Sequence, residues 1–115
     1  MKRALLSLCL VVLPTAAFAS GFNLPDGSQF FVIDPPIRYV NQYDGPLDLQ
    51  LVSQAEVIRI CSEAVGKYVE AACAWPSAAG CKIVIADSLP EDLGNAVLQH
   101  EYAHCAGWGA DHPLD

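Results

Sequence analysis

A chain of 115 residues, 53% of them hydrophobic and with a formal net charge of −7, is long enough for one small domain with a modest core. Lys2 and Arg3 stand at the extreme N-terminus; without them Arg38, Arg59, Lys67 and Lys82 face thirteen acidic residues, a net −9. Such a surface repels phosphate backbones and anionic lipid, which excludes nucleic-acid and membrane partners; it is compatible with a cationic peptide or protein partner without indicating one.

Residues 1–19 read as a secretory signal peptide: the basic pair, an apolar run over residues 4–13, and Ala17-Phe18-Ala19 as a cleavage site before Ser20. The run is about half the roughly 20 residues that a membrane-spanning helix needs. Cys9 lies inside it, out of context for a lipid attachment site. The expected product is residues 20–115, a single domain exported to the periplasm or secreted. Four cysteines remain there, Cys61, Cys73, Cys81 and Cys105, and in an oxidising compartment an even set implies two disulfides.

In chain order, residues 20–28 are rich in Gly, Pro, Asp and Asn and predict a loose terminus. Residues 29–33 (QFFVI) predict a short strand stopped by Asp34-Pro35-Pro36, residues 37–40 a second, and residues 43–46 a turn. Ser53 and Glu56 form a helix N-cap signal. Val57, Ile60, Cys61, Ala64, Val65 and Tyr68 then recur at helical spacing, predicting a helix to Val69 or Ala72. Residues 73–80 read as a loop and residues 81–86 (CKIVIA) as the strongest strand. Asp87-Ser88-Leu89-Pro90 leads into a second helix, with Glu91 and Asp92 at its positive end, running to Ala106 before Gly107 as a left-handed cap. The sum is a small α+β domain: two main helices packed on a short β-sheet, stapled by disulfides, the second helix supported by the first.

The second helix carries the chemistry. His100 and His104 are four apart, so both rings lie on one face and reach a single metal ion. Glu101 beside them is placed to take a proton from water activated by that metal. Here the stretch HEYAHCAG resembles the zincin metallopeptidases, whose HExxH motif is matched by His100, Glu101 and His104 and whose longer HExxHxxG form is matched by Gly107. The resemblance spans about a quarter of the chain. It implies an exported zinc-dependent peptidase acting on peptide or protein substrates, with His100 and His104 as ligands and Glu101 as general base. It also implies that the strand at residues 82–86 lies along the cleft and pairs with extended substrate. Two departures stand out: Ala110 occupies the place of the third histidine of the metzincin pattern, and Met1 is the only methionine, so no methionine turn follows.

Catalytic zinc usually takes three protein ligands. After Gly107 only Asp111, His112 and Asp115 carry metal-binding side chains. His112 is expected as the third ligand ahead of Asp111, which serves alternatively as a ligand or as a group orienting a ligand histidine; an upstream ligand is the remaining alternative. Cys105 follows a ligand directly, and a disulfide is expected there, with Cys73–Cys81 and Cys61–Cys105 as the favoured pairing. Trp108 reads as a core plug, and Tyr39, Tyr43 and Tyr68 are undistinguished candidates for a phenol that steadies the reaction. Two competing classes are a metal-binding protein without turnover and a disulfide-stabilised interaction module without metal.

Overall fold

The computed structural model describes residues 19–114, so the expected signal peptide lies outside the described residues except for Ala19. Two strands, β1 (Ala19–Asn23) and β2 (Gln29–Ile33), form an antiparallel hairpin. The terminus expected to be loose is therefore a strand from Ala19 to Asn23. Its turn closes with Ser28 N–H donating to Asp26 Oδ1 at 2.9 Å, a side chain substituting for backbone. Residues 37–40, expected as a strand, instead hold a single 3₁₀ turn over Ile37–Tyr39, because Pro36 fixes the preceding backbone and Tyr39 N–H returns to the Pro36 carbonyl at 2.9 Å.

The main sheet has three strands in the order β3-β5-β4, where β3 is Leu47–Val52, β4 Ala72–Ser77 and β5 Gly80–Ala86. β3 runs parallel to β5, and β4 is antiparallel to it through the two-residue turn at residues 78–79. β4 corrects the loop expected at residues 73–80: Pro76 argued against a strand, but it stands on an edge, where its missing N–H costs nothing. Residues 43–46 carry a bend into β3, fixed by the Tyr43 hydroxyl donating to the Pro46 carbonyl.

Helix α1 (Gln54–Val65) starts where Ser53 Oγ accepts the Glu56 N–H at 3.2 Å. It ends earlier than the apolar spacing suggests, because Gly66 takes a left-handed φ of 86° and its N–H caps the Ser62 carbonyl. Helix α2 (Glu91–Cys105) matches its expected span.

Alternation along β5 decides which helix covers which face. Cys81, Ile83 and Ile85 share one core with Leu93, Val97 and Cys105 of α2, and with Val32 of the hairpin. Val84 and Ala86 point the other way and pack with Cys73, and with Val57 and Cys61 of α1. The helices thus lie on opposite faces of the sheet, so α2 rests on β4, β5 and the hairpin and not on α1. Ile83 and Val84, both at 0% exposure, anchor the two cores, each worth about 2–3 kcal/mol in apolar burial.

The same alternation overturns the favoured cysteine pairing. Cys73 and Cys81 sit on opposite faces of one hairpin, and the bonds formed are Cys61–Cys73 and Cys81–Cys105. Each disulfide ties one helix to the sheet face beneath it. Among the described residues no helix is long and apolar enough to cross a membrane.

Candidate metal centre

The buried line of α2 is Leu93, Val97, Glu101 and Cys105, each four residues after the last. A carboxylate therefore occupies a core position. His100 and His104 stand beside this line, turned toward a cleft of about 350 Å³. β2 forms one wall of the cleft, and β4 with the segment after α1 forms the other.

The chain beyond α2 turns back sharply. Gly107 N–H bonds the His104 carbonyl at 3.1 Å and Trp108 N–H the Ala103 carbonyl at 3.0 Å, a paired cap that needs the positive φ of 113° at Gly107. A second turn follows, closed by His112 N–H on the Gly109 carbonyl at 2.9 Å. Trp108 Nε1–H donates to the Pro113 carbonyl at 2.9 Å, which fastens this returning loop. His112 itself adopts a φ of 57°, a left-handed conformation that a residue with a Cβ holds only at a cost.

These turns bring the three imidazoles together. His112 Nε2 lies 3.1 Å from His100 Nε2 and 3.2 Å from His104 Nε2, and the latter two are 3.2 Å apart. His100 Nδ1–H donates to the Ile33 carbonyl at 2.7 Å and His104 Nδ1–H to the Trp108 carbonyl at 2.8 Å. A carbonyl only accepts, so both Nδ1 atoms carry their rings' single proton, and both Nε2 atoms present lone pairs. These two lone pairs repel unless a proton on His112 Nε2 or a cation sits between them. For metal–nitrogen bonds of about 2.0–2.1 Å, a tetrahedral site has nitrogen–nitrogen edges of about 3.3–3.4 Å, close to the edges found. The three histidines could hold a metal ion by their Nε2 atoms, and among the described residues no Cys, Asp or Glu joins the group.

Trp108, 2% exposed, is more than a plug. Its ring stacks on His104 with centroids 4.9 Å apart and meets His100 and His112 edge-on, so it supports all three rings from beneath. Asp111 is exposed and stands apart from the converging nitrogens; a Cβ on Gly109 would lie 2.9 Å from its Oδ1.

Burial dominates the electrostatics. It pushes His100 down to about 4 and lowers His104, keeping both neutral and ready to ligate. His112 is lowered by burial first, then by the cost of placing its charge beside His104 and Lys67, against an opposing pull from the Asp111 carboxylate. Glu101, 6% exposed, has no hydrogen bond or ion pair among the described residues, and burial raises its carboxyl to about 8. An unpartnered buried carboxyl destabilises a fold, and groups of this kind cluster at functional sites.

The strand expected along the cleft is corrected. β5 is central and paired on both sides; the strand bordering the cleft is β4. The Ala86 N–H bonds the Ala71 carbonyl at 3.0 Å, so by antiparallel alternation residues 71, 73, 75 and 77 bond inward. Ala72 and Ala74 then turn their N–H and C=O groups outward. Of the candidate tyrosines only Tyr68 lines the cleft; Tyr39 and Tyr43 lie elsewhere, their hydroxyls bonded to Arg38 and to the Pro46 carbonyl. The Ile33 carbonyl carried no signal in the sequence, being backbone far from the motif. Compared with protein-family models, with curated proteins and with solved structures, the chain has no match.

Proposed function

We propose that this chain is an exported zinc-dependent peptidase of the zincin kind, periplasmic or secreted, acting on peptide or protein substrates. The observation that carries the reading is Glu101: a buried carboxylate without a partner, lining the same cleft as three imidazoles whose Nε2 atoms converge. A purely structural histidine cluster would not need it. The two disulfides support an oxidising destination.

Three neutral nitrogen ligands with an open fourth position suit zinc in a catalytic site. Zinc supplies Lewis acidity there, drawing the pKa of water down to about 7. The chain's own residues do the rest. An extended substrate adds to the outer edge of β4, its main chain bonding Ala72 and Ala74, whose small side chains allow a close approach. Phe31, Val65 and Tyr68, all exposed and all lining the cleft, favour apolar substrate side chains. Glu101 takes a proton from the attacking water and returns it to the amine nitrogen as the C–N bond breaks, so the carboxylate is regenerated. Its raised pKa in the metal-free site becomes lower beside a cation, which makes it a base near neutral pH.

The test compares wild type with Glu101→Gln, both loaded with zinc and supplied with a broad peptide library. The expected outcome is equal zinc content and at least a hundredfold loss of cleavage in the variant. Unchanged cleavage would remove the peptidase mechanism; bound zinc with no cleavage in either protein would leave a metal-binding protein without turnover.

A further inference from the structure

The two edges of the main sheet differ. β4 presents Pro76 at its rim and borders the cleft, whereas β3, LDLQLV, carries no proline and is a terminal strand among the described residues. Cys81 N–H bonds the Pro46 carbonyl at 3.0 Å and Asp87 N–H the Val52 carbonyl at 2.8 Å. With the parallel register of Leu47 to Cys81, this places the even-numbered residues' main-chain groups toward β5 and turns those of Leu47, Leu49 and Leu51 outward. The same three residues carry exposed side chains, at 37, 36 and 61%. Their register partners Cys81, Ile83 and Ile85 belong to the α2 face, but α2 lies mainly against β4, and only Leu47 borders its flank, across a hollow shared with Leu98 and Tyr102. Bare main-chain groups and bare leucines coincide on one strand, a combination that folded proteins ordinarily block.

We propose that β3 is the contact of a symmetric homodimer, in which two copies pair antiparallel about Leu49 and join their three-stranded sheets into one of six strands.

The sequence of β3 complements itself in this register and in no neighbouring one. Centred on Leu49, Leu49 meets Leu49 of the second copy, and Leu47 meets Leu51, so all outward N–H and C=O groups of the three leucines are used. The leucines stack across the strands on one face. On the other face Asp48 meets Gln50 of the second copy, an acceptor opposite a donor. Centred on Asp48, the two carboxylates would face each other in the close, non-hydrogen-bonded position; centred on Gln50, Leu47 would lie opposite Ser53, beyond the strand. Charge separates a second copy from other occupants. Two exported chains of net charge −9 repel, so this contact strengthens as salt rises, whereas a basic partner would be released by salt.

The experiment is sedimentation velocity over a wide concentration range at low and high salt, joined to amide hydrogen exchange on the full exported chain. The expected result is a monomer–dimer equilibrium favoured by salt and by concentration. In exchange, the amides of Leu47, Leu49 and Leu51 become protected as the dimer forms, while those of Asp48 and Gln50 are protected throughout. Leu49→Pro removes an outward N–H that the monomer does not use, and it weakens dimerisation roughly tenfold or more. Leu49→Lys, which puts like charges face to face and leaves the backbone unconstrained, does the same. A monomer at every concentration and salt overturns the proposal, as does a dimer that both variants leave intact. Protection of the odd-numbered amides at every concentration would place another segment of the same chain on this edge and also overturn it.

Discussion

Replacing Glu101 by Gln should stabilise the metal-free protein at neutral pH, an unusual result for a buried site. Burial raises the Glu101 carboxyl from 4.5 to about 8 in the fold. The folded state therefore holds the proton more tightly than the unfolded chain does. The associated stability is fully present below pH 4.5 and is lost as pH rises through 8. At pH 7 the chain has moved 2.5 units above 4.5. At 1.36 kcal/mol per unit, ionisation or the retention of a buried proton then costs wild type about 3 kcal/mol. Gln has nearly the shape of the protonated acid and no charge to lose. The variant and wild type should be equal near pH 4.5, and the variant more stable by about 3 kcal/mol at pH 7, a melting difference of more than about 10 °C for a domain of this size. Urea unfolding with disulfides intact, in chelator, across this pH range measures the difference. A gap that does not change with pH, or a less stable variant at pH 7, would refute the account of Glu101 as a buried carboxylate without a partner.

Four further outcomes are expected. His112→Ala should weaken zinc binding far more than Asp111→Ala in a chelator competition, and the reverse order would move the third ligand to Asp111. Trp108→Phe keeps the ring beneath the histidines but loses the bond to the Pro113 carbonyl; zinc affinity should fall about tenfold with the fold intact by circular dichroism. Replacing the Cys61–Cys73 pair or the Cys81–Cys105 pair by alanines should cost about 3 kcal/mol each by loop entropy, measured by urea unfolding. Only loss of Cys81–Cys105, whose second cysteine follows His104, should also lower zinc affinity. In the metal-free protein burial keeps the three imidazoles below their ordinary 6.5, so in Glu101→Gln zinc affinity should stay flat from pH 7.5 down to about 6.5 and fall below it as protons compete, whereas wild type already loses affinity over that range because Glu101 must give up its proton beside the cation, read by isothermal titration.

Helix α2, Gly107 and the trio His100, His104 and His112 were legible in the sequence because each depends on local rules: four-residue spacing, a glycine cap and a short tail with few ligands. Glu101 was legible as part of a motif, and its place in the line Leu93, Val97, Cys105 was there to be read as well. β4 was hidden by Pro76 and by a turn at residues 78–79 built of two alanines, without the usual Asn or Gly. β3 did carry an alternating pattern, but its leucines are the exposed residues and its polar ones the inner partners of the ladder, so the pattern does not announce a core strand. The cysteine pairing depended on which face each strand residue takes, and that follows only once β4 is known to pair with β5. The Ile33 carbonyl could not be found from the sequence at all, since it is a main-chain group supplied by the hairpin.

The most direct measurement is a crystal of the zinc-loaded protein with diffraction recorded on both sides of the zinc absorption edge. The account predicts one anomalous peak per chain, about 2.0–2.1 Å from the Nε2 atoms of His100, His104 and His112, with Glu101 facing the open side. Absence of a peak at the three nitrogens, or zinc held by surface carboxylates in their place, would contradict it.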